Sequence, residues 1–127
     1  MKKKVIIHEF DPVIYPRKLW VVATSKMTAI TDRFLDKESK GEMVYINGDH
    51  FSAITQKVSE KGSGRHGVII VFVTKKEMTT KLIAHESTHA ARYIWNELGE
   101  DETGTEANAY LVGWIAECCE KVKLNKE

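Results

Sequence analysis

Two histidines and the glutamate between them are the residues of this chain best placed to do chemistry together. His85, Glu86 and His89 belong to the segment HESTH, which fits the pattern HExxH. Side chains four positions apart lie on one face of a helix, so both imidazoles could hold one metal ion. The glutamate could then take a proton from a water on that metal. The spacing suits zinc, which takes nitrogen ligands tetrahedrally and keeps one position open when it is catalytic.

The residues before the motif predict a strand that leads directly into a helix. Positions 68–73 are all β-branched or aromatic, which is typical of a buried strand. Thr74 followed three residues later by Glu77 is a capping-box pattern, so the helix should begin near residue 75. It should end near Leu98, because Gly99 suits the left-handed exit from a helix.

The predicted helix has one apolar side and one histidine side. Its apolar arc should face the core and consists of Ile83, Ala84, Ala90, Ala91, Ile94, Trp95 and Leu98. His85, Glu86 and His89 should lie on the opposite side, which then needs a covering element. The alternative is a surface helix that carries two histidines by accident, but that alternative does not explain the central glutamate.

A zinc site of this kind needs a third protein ligand. The extended pattern HExxHxxGxxH is excluded, because this chain has Arg92 and Trp95 where the pattern needs glycine and histidine. The remaining candidates are the downstream acidic residues Asp101, Glu102, Glu106 and Glu117. We favour Glu106, because the interval after His89 is long enough for the first helix to end and the chain to return over it.

A second helix is predicted over about 105–122, and four of its residues should share one face: Glu106, Tyr110, Gly113 and Glu117. We expect this face to be buried and Gly113 to let the two helices approach closely. Glu106 could instead only cap its own helix, and Glu102 would then be the next candidate ligand. Tyr110 could hydrogen-bond a metal ligand or steady an oxyanion, or could be a half-buried tyrosine packed between helices. Tyr93 and His66 are weaker candidates for that role.

The N-terminal half predicts several short elements. The expected strands are 5–10, 19–23, 43–46 and 51–58, and the expected helix is 26–37, with Met27, Ile30, Phe34 and Leu35 at helical spacing. Asn47-Gly48 predicts a hairpin turn. With the strand and two helices of the second half, this order predicts an α+β domain in which a small mixed or antiparallel sheet packs on the histidine-bearing helix. The strand 51–58 is expected at the sheet edge, where an extended peptide could add to it.

Size and composition predict one ordinary globular domain over residues 1–127, with 43% hydrophobic and 29% charged residues. The net charge of +1 gives no electrostatic reason to expect a nucleic-acid partner. No stretch is long and apolar enough to predict a membrane span, and the apolar start is too short for a signal peptide. The adjacent Cys118 and Cys119 are expected to be reduced thiols, which favours a cytoplasmic protein.

The chain resembles the zincins, and among them the gluzincins, in its segment HESTHA at 85–90 and its segment EANAY at 106–110. It is similar to the small single-domain minigluzincins and short HExxH proteins of bacteria and their phages, over roughly residues 68–118. This resemblance implies a zincin-like fold with a glutamate-bearing helix after the active-site helix. It also implies zinc bound by His85, His89 and Glu106, with Glu86 as the general base. Larger gluzincins add a second subdomain with a transition-state tyrosine or histidine, and we expect no counterpart of it within residues 1–127.

The predicted function is therefore hydrolysis of peptide bonds in a peptide or protein substrate, by a zinc-activated water with Glu86 as base. Tyr110 is the candidate oxyanion helper. The alternative is a zinc-binding interaction module, weakly active or inactive, in which the metal acts as a structural clamp. A third alternative is a protein without metal whose histidines are simply exposed. The sequence does not indicate the oligomeric state or the identity of the substrate.

Overall fold

The computed structural model describes residues 4–13, 15–36, 52–99 and 105–125. The fold is α+β, with a five-stranded mixed sheet. The strands are β1 (His8–Phe10), β2 (Lys18–Ala23), β3 (Phe34–Asp36), β4 (Ala53–Glu60) and β5 (His66–Phe72). The helices are α1 (Thr28–Thr31), a 3-10 turn (Lys75–Glu77), α2 (Thr80–Glu97) and α3 (Thr105–Leu124). The predicted α+β class is confirmed, and the zincin-like fold stays a prediction.

The sheet has the strand order β1-β2-β5-β4-β3, so the last strand in sequence lies at its centre. Strands β2 and β5 are parallel, whereas the other neighbours are antiparallel. The central position of β5 explains why Val68 to Phe72 form an unbroken apolar run. A central strand covered on both faces has no exposed side on which polar residues could alternate.

Two apolar clusters cover the two faces of the sheet. The larger one joins β2 and β5 to α2 and α3, and its buried members include Leu19, Ile70, Ile94 and Ile115. The smaller one covers the opposite face and includes Trp20, Ile30, Phe34, Val58 and Ile69. Helix α2 therefore lies on the sheet with one side buried and the other available for a site.

The entry into α2 differs in detail from the prediction. Thr74 does accept a hydrogen bond from the Glu77 amide, but it caps the 3-10 turn. Helix α2 begins five residues later than predicted, where the side chain of Thr79 accepts a hydrogen bond from the Leu82 amide. The predicted end is confirmed, since Gly99 has a φ of 73° and α2 stops just before it.

The predicted helix over 26–37 is wrong. In the described part of that range, residues 26–36, only Thr28–Thr31 is helical, and Phe34–Asp36 pairs with β4 as a strand. Phe34 is buried by packing across the sheet and not by a helix. The centroid of its ring lies 4.8 Å from that of Trp20. Cross-strand packing therefore overrides the local helical pattern. The predicted strand 43–46 and the turn at Asn47-Gly48 lie outside the described residues.

The expectation that the strand before the last one forms the sheet edge also needs correction. That strand is β4, and β3 pairs with it on the side away from β5. The pairing with β3 covers only Val58–Glu60 of β4. Among the helices that the structure describes, none is long and apolar enough to cross a membrane.

Candidate metal centre

Helix α2 brings the two histidines together through its own geometry. His85 and His89 are one turn apart and both side chains are exposed. Their Nε2 atoms lie 3.2 Å apart, and the two rings meet edge to face with centroids 4.7 Å apart. The imidazoles thus converge on one point outside the helix, as the spacing of the motif predicts.

The separation of the two Nε2 atoms fits a zinc ion. With Zn–N bonds of about 2.0–2.1 Å, a distance of 3.2 Å corresponds to an N–Zn–N angle of about 100°, close to tetrahedral. Without metal, the same distance is a hydrogen bond in which one neutral ring donates and the other accepts. The separation is therefore compatible both with a bound zinc ion and with a direct hydrogen bond.

Glu86 is buried, with only 6% of the residue exposed. The prediction that it lies with the histidines on the outer side of α2 is wrong, since it faces strand β4. Its Oε1 accepts a hydrogen bond of 2.7 Å from the hydroxyl of Thr55, while its Oε2 lies 3.9 Å from the Nε2 of His85. One carboxylate oxygen is thus hydrogen-bonded to the sheet, and the other lies near His85.

Thr55 is the site residue that sequence reasoning missed. It is buried at 7% exposure in the middle of β4, and its hydroxyl contacts both the carboxylate and, at 3.5 Å, the carbonyl of Glu86. A threonine in a strand is ordinary, because β-branched residues favour strands. Only the packing of α2 on β4 gives this hydroxyl a carboxylate to bind, so the sequence holds no signal for it.

A second link between β4 and α2 lies next to the site. The Lys57 ammonium donates a 3.1 Å hydrogen bond to the side chain of Asn96 and lies 5.6 Å from the centre of the Tyr93 ring. Tyr93 therefore packs with a lysine. His66, the other weak candidate, lies at the start of β5, where its Nδ1 is 2.9 Å from the hydroxyl of Ser59.

The inner side of α2 touches the thiols of α3. Ser87, one of the two variable positions of the motif, is fully buried, and its neighbours include Cys119. Burial raises the pKa of the Cys119 thiol to about 12, partly offset by the Ser87 hydroxyl. Both Cys118 and Cys119 are free and buried, so they act as small apolar core residues.

Glu106, the predicted third ligand, lies on an exposed face of α3 and not on α2 with the histidines. Glu106 does share a face of α3 with Tyr110, Gly113 and Glu117, but all four are exposed. The helix buries its opposite side, made by Leu111, Ile115, Cys118, Cys119 and Val122. The expectation of a buried glutamate face is therefore wrong. So is the role expected for Gly113, because a Cβ added there would meet nothing within 4 Å.

Within the described ranges, no three His, Cys, Asp or Glu side chains are arranged to hold one metal ion. The structure therefore brings together His85, His89 and Glu86 but does not gather Glu106 with them. The alternative ligands Asp101 and Glu102 lie outside the described residues. The Oε1 atom of Glu117 lies 3.9 Å from the Nζ atom of Lys121 on the exposed side of α3.

Tyr110 is 76% exposed, so the expectation of a half-buried tyrosine between helices is wrong. It lies beside an apolar groove of about 400 Å³ that is also lined by Pro12, Tyr15 and Trp114. Its suggested role as an oxyanion helper stays a prediction.

Comparisons with models of protein families, with curated proteins and with solved structures found no match to this chain.

Proposed function

We propose that this protein is a zinc-dependent peptidase whose metal is held by His85 and His89 and whose general base is Glu86. The observation that supports the proposal most is the arrangement of these three side chains. Two imidazole nitrogens face each other at 3.2 Å, and a carboxylate oxygen lies 3.9 Å from one of them. A surface helix with two accidental histidines gives no reason for an oriented, buried carboxylate beside them.

Each of these residues has a separate task in the proposed reaction. His85 and His89 would hold the ion on the exposed side of α2, where a peptide can approach. When bound, zinc supplies the Lewis acid that activates water and polarises the scissile carbonyl. Glu86 accepts the water proton at Oε2 and passes it to the leaving amide nitrogen. The hydrogen bond from Thr55 to Oε1 keeps Oε2 directed toward the histidines throughout.

For the third ligand the proposal keeps Glu106, with Asp101 and Glu102 as alternatives. Glu106 lies in the first turn of α3, and α3 packs against α2. Tyr110 follows one turn later on the same face, so a movement that brings Glu106 to the metal would also bring the phenol closer. The proposed location is the cytoplasm, which the two free thiols support.

The decisive experiment measures zinc and turnover separately on untagged protein. His85→Ala and His89→Ala should each abolish stoichiometric zinc. The matched control His66→Ala should keep it, because His66 pairs with Ser59, four residues along β4 from Thr55. Glu86→Gln should keep the zinc and lower cleavage of a fluorogenic peptide library by about 10²–10⁴-fold. Wild-type cleavage by Glu86→Gln would exclude Glu86 as the base.

A zinc-binding interaction module is the second candidate function. It is favoured by one observation, that the described residues gather two histidine ligands without a third acidic ligand. The module would bind about one zinc per chain and cleave no peptide in the library, and Glu86→Gln would then change nothing but stability. If the chain purified without a tag binds no zinc, both candidates fail and the histidine pair is only a hydrogen-bonded pair.

A further inference from the structure

The carboxyl ends of the two parallel strands form a second place where this fold can bind a ligand. Strands β2 and β5 are adjacent and parallel, in register from Lys18 opposite Gly67 to Ala23 opposite Phe72. After β2 the chain turns to the face of the sheet that holds Ile30, whereas after β5 it turns to the opposite face, which holds Ile83. Neighbouring parallel strands whose connections leave to opposite faces open a crevice at their carboxyl ends.

A groove of about 990 Å³ lies at this point. It is lined by Thr24, Ser25 and Lys26, which directly follow β2, and by Val73, Thr74 and Lys75, which directly follow β5. This volume is at the upper end of the range of small-molecule sites, about 300–1,000 Å³, so the groove can hold a ligand of nucleotide size.

The charge of the groove has one sign. Lys4, Lys26 and Lys75 line it, and its described lining residues include no aspartate or glutamate. The chain as a whole is nearly balanced, with 19 basic and 18 acidic residues, so this segregation is local. Three ammonium groups around one crevice favour an anion of more than one charge.

Hydroxyl groups add directional donors to these charges. The Thr24 hydroxyl accepts a hydrogen bond from the Lys26 amide, and the Thr74 hydroxyl accepts one from the Glu77 amide. Each hydroxyl has its own proton in addition, which it can donate to a ligand oxygen. Lys75 also donates to the carbonyl of Asn125, which fixes its ammonium at the end of α3 beside the groove.

We propose that this groove binds a phosphate-bearing small molecule, with its phosphates between Lys4, Lys26 and Lys75. Compact ammonium charges and hydroxyl donors suit phosphate oxygens, which accept strong charge-assisted hydrogen bonds. The organic part of the ligand would lie on the apolar portion of the lining, which is formed by Val5, Ile6, Ala23, Val73 and Val122. The site is separate from the histidine pair, since neither His85 nor His89 lines the groove.

The test is isothermal titration of the full chain with pyrophosphate, ATP and adenosine in EDTA-containing buffer. EDTA removes metal ions, so binding cannot occur through a metal at the histidines, and His85→Ala should bind the probes as wild type does. Pyrophosphate and ATP should bind with an affinity that falls as NaCl rises, whereas adenosine should bind far more weakly. The Lys26→Ala and Lys4→Ala variants should each weaken binding about tenfold.

The matched control is Lys76→Ala, which removes an exposed lysine next to Lys75 that does not line the groove. It should bind the probes as wild type does. Circular dichroism melts of each variant separate lost binding from lost folding, and Lys26→Gln keeps side-chain bulk if the alanine variant does not fold. The proposal is overturned by any of three results: no binding of phosphate probes at millimolar concentration, equal loss in Lys76→Ala and Lys26→Ala, or tighter binding of a single-stranded oligonucleotide than of ATP.

Discussion

The two long helices each carry part of the candidate metal centre, but they do so in opposite ways. Helix α2 brings His85 and His89 together through one turn of its own backbone, and β4 supports the carboxylate between them. Helix α3 carries Glu106 and Tyr110 on the face that points away from its buried side. Residues that converge within one element need no tertiary information, whereas a ligand from a second element depends on how that element packs.

The same difference appears in what each helix buries. Helix α2 buries an acidic residue, Glu86, which has a hydroxyl partner at 2.7 Å. The residues of α3 described as buried are apolar residues and two thiols, while Glu106 and Glu117 stay exposed. Burying a carboxylate is costly without a hydrogen-bond partner, so a buried and partnered glutamate indicates a site more strongly than an exposed one.

The largest expected effect concerns the inner face of α3. Burial raises the pKa of Cys118 and of Cys119 to about 12. At pH 8 the thiolate fraction of these cysteines should therefore be on the order of 1,000-fold lower in the folded protein than in the unfolded chain. The thiolate is the reactive form of cysteine, so its reaction rate should fall with it. Reaction with a disulfide reagent should be slow in native protein and should become fast only in denaturant or as the pH approaches 12. Rapid stoichiometric modification of folded protein at pH 8 would show that α3 is not seated as described.

The next largest effect concerns the outer face of α3. If Glu106 completes the metal site, Glu106→Gln should lower zinc affinity by at least about 100-fold, more than the loss of an outer hydrogen-bond partner. The matched control is Glu117→Gln, an exposed glutamate on the same face that should leave zinc affinity unchanged. Competition with a chromophoric chelator gives both values. Equal affinity for all three proteins would assign the third position to another ligand, with Glu102→Gln and Asp101→Asn as the following variants.

A smaller effect is expected from the support that β4 gives to α2. Thr55→Val keeps the shape of the side chain but removes the hydroxyl from Glu86. If Glu86 is the general base of a zinc peptidase, this variant should lower turnover about tenfold with zinc content unchanged. Thr55→Ser should restore most of the rate because it restores the donor. Ser59→Ala is the control, since its hydroxyl lies on the same strand and contacts His66 instead. If Thr55→Val turns over as fast as wild type, the hydrogen bond does not orient the base.

The smallest effect tests the contact between the two helices. The indole nitrogen of Trp95 donates a 3.1 Å hydrogen bond to the side chain of Asn108, two residues after Glu106. Asn108→Ala should lower the free energy of unfolding by about 1 kcal/mol, because it leaves a partly buried donor without a partner. Asn96→Ala removes an exposed hydrogen bond from Lys57 and should cost about 0.5 kcal/mol or less. Urea unfolding of both variants makes the comparison, and equal losses would mean that Asn108 does not anchor α3.

Local patterns predicted the elements around the site well. The apolar run before the motif became a central strand, Gly99 ended α2, and the four-residue spacing placed both imidazoles on one face. Local patterns failed where pairing partners decided the outcome. Phe34 had helical spacing with Ile30, but its burial against Trp20 in the adjoining core made it part of a strand.

By itself the sequence determined that His85 and His89 lie on one face of α2, because helical periodicity is a property of the backbone and needs no partner. Only the tertiary structure decided that the Glu86 side chain faces the sheet and that α3 presents Glu106 to solvent. Glu86 turned inward because Thr55, distant in sequence, supplied the donor that a buried carboxylate requires. Glu106 turned outward because the apolar side of α3 gains more by covering the sheet and α2 than by exposing that surface to water.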